Sequence, residues 1–283
     1  MRRAALSAAA CCAALMESCR RVHDMRALSD ADVNSARARH CSVELDRDGV
    51  VIVRGVLSGR DVQCWRRVVL DATKRGARGV VESSEGRSHV VVRSSLGRET
   101  RAAQQTPNAA QLRLDLEAIA GSRPLAETAA AYFAAHSPDG AYHVTQLQLL
   151  DAVEGSRHQI WHRDNAKPGL TCIIALGADG VGTNGPTELL LGSHGSLVCA
   201  SRRKEPPLLG SLLEAGDALV YDARVLHRGR GFAIGERRPV LVIRWDSDRS
   251  PAPGVGALGT LAQRGLGASL ALAAVLRSDL RSR

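Results

Sequence analysis

The segment Gln159-Ile160-Trp161-His162-Arg163-Asp164 places an imidazole two positions before a carboxylate. Side chains alternate faces along an extended strand, so His162 and Asp164 are expected to point one way and Arg163 the other. A second imidazole, His227, lies 65 residues beyond His162, and Arg238 follows it by eleven. Two neutral nitrogen donors and one anionic oxygen hold a ferrous ion from one side and leave its other coordination positions open. Open positions are where oxygen chemistry takes place. Arg238 adds a planar fork of donors that can grip a carboxylate through two parallel hydrogen bonds, which a lysine cannot do. Arg237 is expected on the opposite face of the same strand, and Arg244 lies further along toward the tail. Both read as solvated surface arginines.

Other polar residues carry weaker signals. His158 and His162 have the spacing of a zinc-binding pair on a helix, but the glutamate of the His-Glu-x-x-His motif is missing and the flanks read as loop and strand. His194 follows a turn and reads as structural. His23, His40, His89, His136 and His143 have no partner pattern and read as surface or core histidines. Gln146 and Gln148 share one strand face while Leu147 and Leu149 share the other, which suits a cavity wall and a half-exposed strand equally well. Trp161 and Trp245 read as core packing.

These side chains need strands to position them. Val50-Val51-Ile52-Val53, after Asp48-Gly49, is a β-branched run. Ser58 with Asp61 resembles a capping box, and Val62, Trp65, Val69 and Ala72 recur at helical spacing. Residues 82–106 are polar and read as a long loop or lid. Helices are expected over Ala109 to Ala120, ending at Gly121, and over Leu125 to Ala135 behind Pro124. From Tyr142 the pattern turns to short strands: Tyr142 to Leu150, Gln159 to Asp164, Leu170 to Leu176, Thr187 to Leu191, Ala218 to Tyr221 and Val240 to Trp245. Turn clusters such as Gly177-Ala178-Asp179-Gly180 separate several of them, as in a sandwich or jelly roll.

Taken in order, four blocks make the chain resemble the phytanoyl-CoA dioxygenase-like branch of the iron(II)/2-oxoglutarate-dependent oxygenases. They are Gln159 to Asp164; Asn184-Gly185-Pro186-Thr187 closing on Gly192-Ser193-His194; Gly216-Asp217 through Asp222 to His227-Arg228-Gly229; and Arg238-Pro239. The match is strong over residues 140–246 and looser over 48–57. The resemblance implies a mainly β fold with flanking helices around a double-stranded β-helix (jelly roll, cupin-like) core of two facing sheets. It implies His162, Asp164 and His227 as Fe(II) ligands, Arg238 as the partner of the distal carboxylate of 2-oxoglutarate, and Gln148, Gln159 and Thr187 as further residues of the cosubstrate pocket. The implied reaction consumes O2 and 2-oxoglutarate, releases succinate and CO2, and hydroxylates or otherwise oxidises a C–H bond of a small organic molecule. Asp164 keeps the carboxylate that related halogenases lack. A non-catalytic jelly-roll binding module and a cupin-like metal enzyme that does not use 2-oxoglutarate remain as alternatives.

Composition sets the outer bounds. The chain of 283 residues suits one sizeable domain with extensions. We divide it into an extension over 1–40, an oxygenase domain over 41–249, and a linker with a final helix over 250–283. The net charge of +9 comes with 38 basic residues of which only Lys74, Lys167 and Lys204 are lysine, so an arginine, alanine and glycine bias explains much of it. Aromatics make up only 3% and no basic run interleaves them, which argues against nucleic acid as a partner. Seven scattered cysteines without a Cys-x-x-Cys pair argue against a disulfide framework or a zinc ribbon. The start, Met1-Arg2-Arg3 and an Ala/Cys/Leu-rich run to Met16, reads as a transit peptide, a short secretory signal or an alanine-rich helix. A cytoplasmic or organellar location is expected, with no transmembrane segment.

Overall fold

The computed structural model describes residues 43–74, 80–82, 86–93, 108–177, 185–195, 208–209, 213–231 and 237–249. The chain divides into two compact units, Met1–His40 and Cys41–Arg283, and every described residue belongs to the second. The expected extension over 1–40 and the expected final helix lie outside the described residues. None of the described helices is long and apolar enough to cross a membrane.

Among the described residues, ten strands form two sheets. The larger contains β1 (Val50–Val53), β2 (Val80–Glu82), β3 (Arg87–Arg93), β4 (His143–Ala152), β5 (Gly169–Ala175), β8 (Ala218–Asp222) and β10 (Arg238–Asp246) in the order β1-β8-β5-β10-β4-β3-β2. The smaller contains β6 (Thr187–Leu189), β7 (Leu208–Leu209) and β9 (His227–Gly229) in the order β7-β6-β9. All pairings are antiparallel, and sequence-distant strands lie side by side, as in a double-stranded β-helix. Gly216 makes the entry to β8 possible. Its φ is +93°, and an added Cβ would run into the carbonyl of Leu57.

Among the described residues, the helices α1 (Gly59–Ala72), α2 (Ala109–Ala120) and α3 (Arg123–His136) cover the outer face of the large sheet. The capping box at α1 forms as the sequence predicts. Ser58 Oγ accepts from the Asp61 amide at 3.2 Å and donates to the Asp61 carboxylate at 2.6 Å. Strand alternation then sorts the residues by face. Leu147 and Leu149 of β4, Cys172 of β5, and Leu241, Ile243 and Trp245 of β10 pack outward with Val62, Val69, Leu116, Leu125 and Phe133 of the helices. A smaller cluster that includes Val50, Leu189, Leu219 and Val225 packs apart from it.

Two expectations need correction. The polar stretch 82–106 is not loop throughout, because Arg87–Arg93 forms β3 and pairs with β4. Its polar side chains hid the period: Val90 and Val92 are buried in the outer core, while Arg87, His89 and Val91 turn to a polar cavity. The strand expected over Gln159 to Asp164 is also absent as a regular element. That segment is irregular, bends at Asp164, and is joined to β9 by a single bridge, His162 to His227.

Candidate active site

The irregular segment carrying His162 and Asp164 is fixed by backbone bonds to two places. Gln159 N donates to Gly229 O at 2.9 Å, and the amides of His162 and His227 each donate to the other's carbonyl at 2.9 and 3.0 Å. Asp164 N donates to Ala223 O at 2.9 Å, in the turn between β8 and β9. Asp222 holds that turn, accepting from the Arg224 amide at 2.8 Å, from its guanidinium, and from the Tyr132 hydroxyl of α3 at 2.6 Å. The ligand geometry therefore traces back to a buried tyrosine on a covering helix.

This scaffold brings His162, Asp164 and His227 together, with one ligand atom of each within 4.8 Å of the others. Asp164 Oδ1 lies 3.8 Å from His162 Nε2 and 3.6 Å from His227 Nε2. Both histidines place Nδ1 against a backbone carbonyl, Ile160 O at 2.9 Å and Val225 O at 3.0 Å. A carbonyl only accepts, so each Nδ1 carries the proton and each Nε2 presents a lone pair inward. The carboxylate is divided in the same way. Oδ2 accepts from Thr171 Oγ1 at 2.7 Å and from Tyr221 Oη at 3.3 Å, which leaves Oδ1 facing the imidazoles.

Electrostatics keep Asp164 and His227 in their binding forms. Burial alone would raise the Asp164 carboxyl, but His227, Arg244, His162 and the Thr171 hydrogen bond outweigh it and bring it to about 2. Burial lowers His227 to about 4, against the pull of Asp164, so it is neutral near pH 7. Burial and the neighbouring Asp164 push Tyr221 well up, so its hydroxyl keeps its proton to donate. Two imidazole nitrogens and one anionic oxygen, each oriented by a second bond, fit a divalent iron ion.

A cavity of about 410 Å³ opens beside these three groups. Arg238, Gln148, Gln159 and Thr187 line it with them, so every site residue expected from the sequence shares one space. Arg238 is buried. Its Nη1 donates to Gly185 O, and its Nε meets no hydrogen-bond partner among the described residues. Burial, with the charge of Arg87 alongside and Asp151 opposing, lowers it to about 10, so it remains a cation. A buried cation with an unfilled donor in a cavity calls for an anion. Gln159 is partly committed: its Oε1 accepts from Gly229 N at 2.8 Å.

Several site residues were not anticipated. Arg244 is buried on the cavity wall, not a solvated arginine. Alternation along β10 puts Arg238, Val240, Val242 and Arg244 on one face, and that arithmetic alone would have found it. Arg237 does face the other way, but it is paired with the buried Asp151 at 2.6 Å. Arg87 is buried in the cavity wall and donates to the carbonyls of Arg157, Gly229 and Arg230. His89 also lines the cavity. Trp161 is not core; it lies half-buried, with the Arg228 guanidinium 4.7 Å above its ring. Trp245 is buried as expected. His158 and His162 form no pair, since His158 is exposed and meets Gly231 N.

Comparison with known proteins bears on fold and sequence separately. No family profile matches the chain. Dioxygenase easH of Epichloe festucae var. lolii is 33% identical over 87 residues, covering 26% of this chain and 46% of that protein. The chain thus matches about half the length of this curated relative. Among solved structures, the non-heme alpha ketoglutarate dependent epimerase SnoN from nogalamycin biosynthesis superposes with a TM-score of 0.54 at 18% identity, over 75% of this chain and 83% of SnoN. The fold is that of the iron/2-oxoglutarate oxygenases. HygX from Streptomyces hygroscopicus, solved with nickel and 2-oxoglutarate bound, gives a TM-score of 0.52 at 14% identity over 73% of this chain and 86% of HygX.

Proposed function

We propose that the chain is an Fe(II)- and 2-oxoglutarate-dependent dioxygenase acting on a C–H bond of a small organic molecule. The reading rests above all on one observation. Three oriented donor atoms converge within 4.8 Å beside a cavity that also holds a buried arginine with an unfilled donor. His162, Asp164 and His227 would hold the iron, which when bound supplies one-electron chemistry and open positions for O2. Arg238 would pair with the distal carboxylate of 2-oxoglutarate, and Gln148, Gln159 and Thr187 line the same space. The overall balance is substrate, O2 and 2-oxoglutarate in; oxidised substrate, succinate and CO2 out.

The chain's own part is positioning and exclusion. Thr171 and Tyr221 tie down the outer oxygen of Asp164, and the backbone carbonyls fix both imidazole tautomers. Val240 and Val242 line the cavity between the two arginines of β10, and their apolar surface keeps water from the reacting groups. The names of similar proteins include a dioxygenase and an epimerase, which supports leaving the outcome as hydroxylation or a related oxidation.

The test is succinate release from 2-oxoglutarate in the purified protein. It should require added Fe(II), vanish in His162→Ala, and need far more 2-oxoglutarate in Arg238→Ala. Unchanged 2-oxoglutarate dependence in Arg238→Ala would point to a metal enzyme with a different cosubstrate. Failure to bind iron at all would point to a binding module.

A further inference from the structure

The register of the large sheet arranges the inner-face residues in rows. Arg244 of β10 is paired with Gln146 of β4 on one side and with Thr171 of β5 on the other, and Thr171 is paired in turn with Tyr221 of β8. Thr171 and Tyr221 are the residues that anchor Asp164, so Arg244 and Gln146 continue the row that supports the metal ligands. Arg238 lies six residues away on the same strand, about 20 Å along it at the usual rise. The cavity therefore has a guanidinium at each end of one strand face.

Arg244 is buried and forms an ion pair with Asp246 that leaves some of its donors unfilled. Its contacts are with Asp246, at 3.4 Å from Nη2 and 3.2 Å from Nε, while Asp246 accepts shorter bonds from Thr145 Oγ1 at 2.5 Å and Asn165 Nδ2 at 2.6 Å. Arg244 Nε has no hydrogen bond of acceptable geometry among the described residues, and no hydrogen bond is seen for Nη1 or for the Gln146 amide. Charge points the same way. Arg87, Arg238 and Arg244 face the cavity against one carboxylate, Asp164. A divalent ion and a dianionic cosubstrate cancel one another, and the three guanidiniums outnumber Asp164 and Asp246 by one, so the cavity as a whole keeps a positive charge. Buried guanidiniums with spare donors recognise oxyanions, and an adjacent amide adds a neutral donor.

Resting on the function proposed above, we propose that the substrate is itself an anion, a carboxylate or phosphate monoester, held by Arg244 and Gln146 in the row beside the iron ligands. Arg238 is then left to the cosubstrate. The oxidised carbon would lie a few bonds from the anionic group, because Arg244 is one strand away from Thr171, the anchor of Asp164.

The test uses the full chain loaded with Fe(II) and 2-oxoglutarate under anaerobic conditions. Small aliphatic carboxylates and phosphate monoesters are titrated against their neutral amides and alcohols, with thermal shift and calorimetry as readouts. The expected result is a preference for the anion of about tenfold or more, the scale of one charge-assisted hydrogen bond. That preference should disappear in Arg244→Gln, return partly in Arg244→Lys, and weaken in Gln146→Leu, a milder change that guards against misfolding of the first variant. The carboxylate and phosphate arms tell the two oxyanions apart. No preference in the wild type, or a preference that survives both Arg244→Gln and Gln146→Leu, overturns the proposal. So does loss of iron affinity in Arg244→Gln with the preference intact, which would make Arg244 a support for Asp164. Binding of 2-oxoglutarate is followed in the same samples: its loss in the wild type sinks the oxygenase reading, and its persistence without anion preference sinks only the anion site.

Discussion

Asp164 shows how much of this site is decided by single atoms. One oxygen is held by Thr171 and Tyr221 and the other is left for a metal, so removing either hydroxyl frees the carboxylate to rotate. Tyr221→Phe and Thr171→Val should each weaken iron binding about 10- to 100-fold, as losses of such outer partners do, read by competition with a chelating dye. His227 makes a pH prediction. Its folded value of about 4 lies below its ordinary 6.5, so the unfolded chain takes up a proton first as pH falls. Its contribution to the metal-free protein is intact above about 6.5 and is lost as pH falls toward 4. Melting temperature against pH should decline through that window and flatten in His227→Gln; an identical slope in the variant would refute the assignment. At this scale the convergence of His162, Asp164, His227 and Arg238 on one cavity was legible because block order and spacing fix them in sequence. Arg244 was within reach of strand alternation from Arg238, whereas Thr171 and Tyr221 were not legible, since each is a lone polar residue in an apolar run whose meaning depends on the strand beside it.

Strand β10 has two unlike faces. Leu241, Ile243 and Trp245 pack under the helices, while Arg238, Val240, Val242 and Arg244 line the cavity. Leu241→Ala, in the fully buried outer face, should cost about 2–5 kcal/mol of folding free energy by chemical denaturation and leave the 2-oxoglutarate requirement of the surviving folded protein unchanged. A shift in that requirement without loss of stability would mean that the faces are misassigned. Elements with a period were readable in advance. The helix expected over Ala109 to Ala120 has those bounds, and the second expected helix extends to Arg123–His136. β3 escaped because its inward side chains, Arg87 and His89, are polar: a strand lining a wet cavity looks like a loop when polarity is taken to mean solvent. The segment carrying His162 and Asp164 misled in the opposite sense. It alternates like a strand in sequence but makes only one bridge, because two of its backbone bonds go to different partners, His227 and Ala223.

For the molecule as a whole, an ion that binds only the folded chain adds to its stability by mass action. Fe(II) under anaerobic conditions, at a hundred times its dissociation constant, should stabilise the wild type by about 2.7 kcal/mol and leave Asp164→Ala unmoved, as differential scanning calorimetry would record. A chelator should reverse the gain. The mutual bonding of the His162 and His227 peptide groups carries one more consequence. Those amides pin two distant stretches of chain together before any ion arrives, so their protons should be among the slowest to exchange with deuterated solvent even in the apoprotein. Ion uptake should then proceed in one rapid phase, with no slow rearrangement trailing behind it.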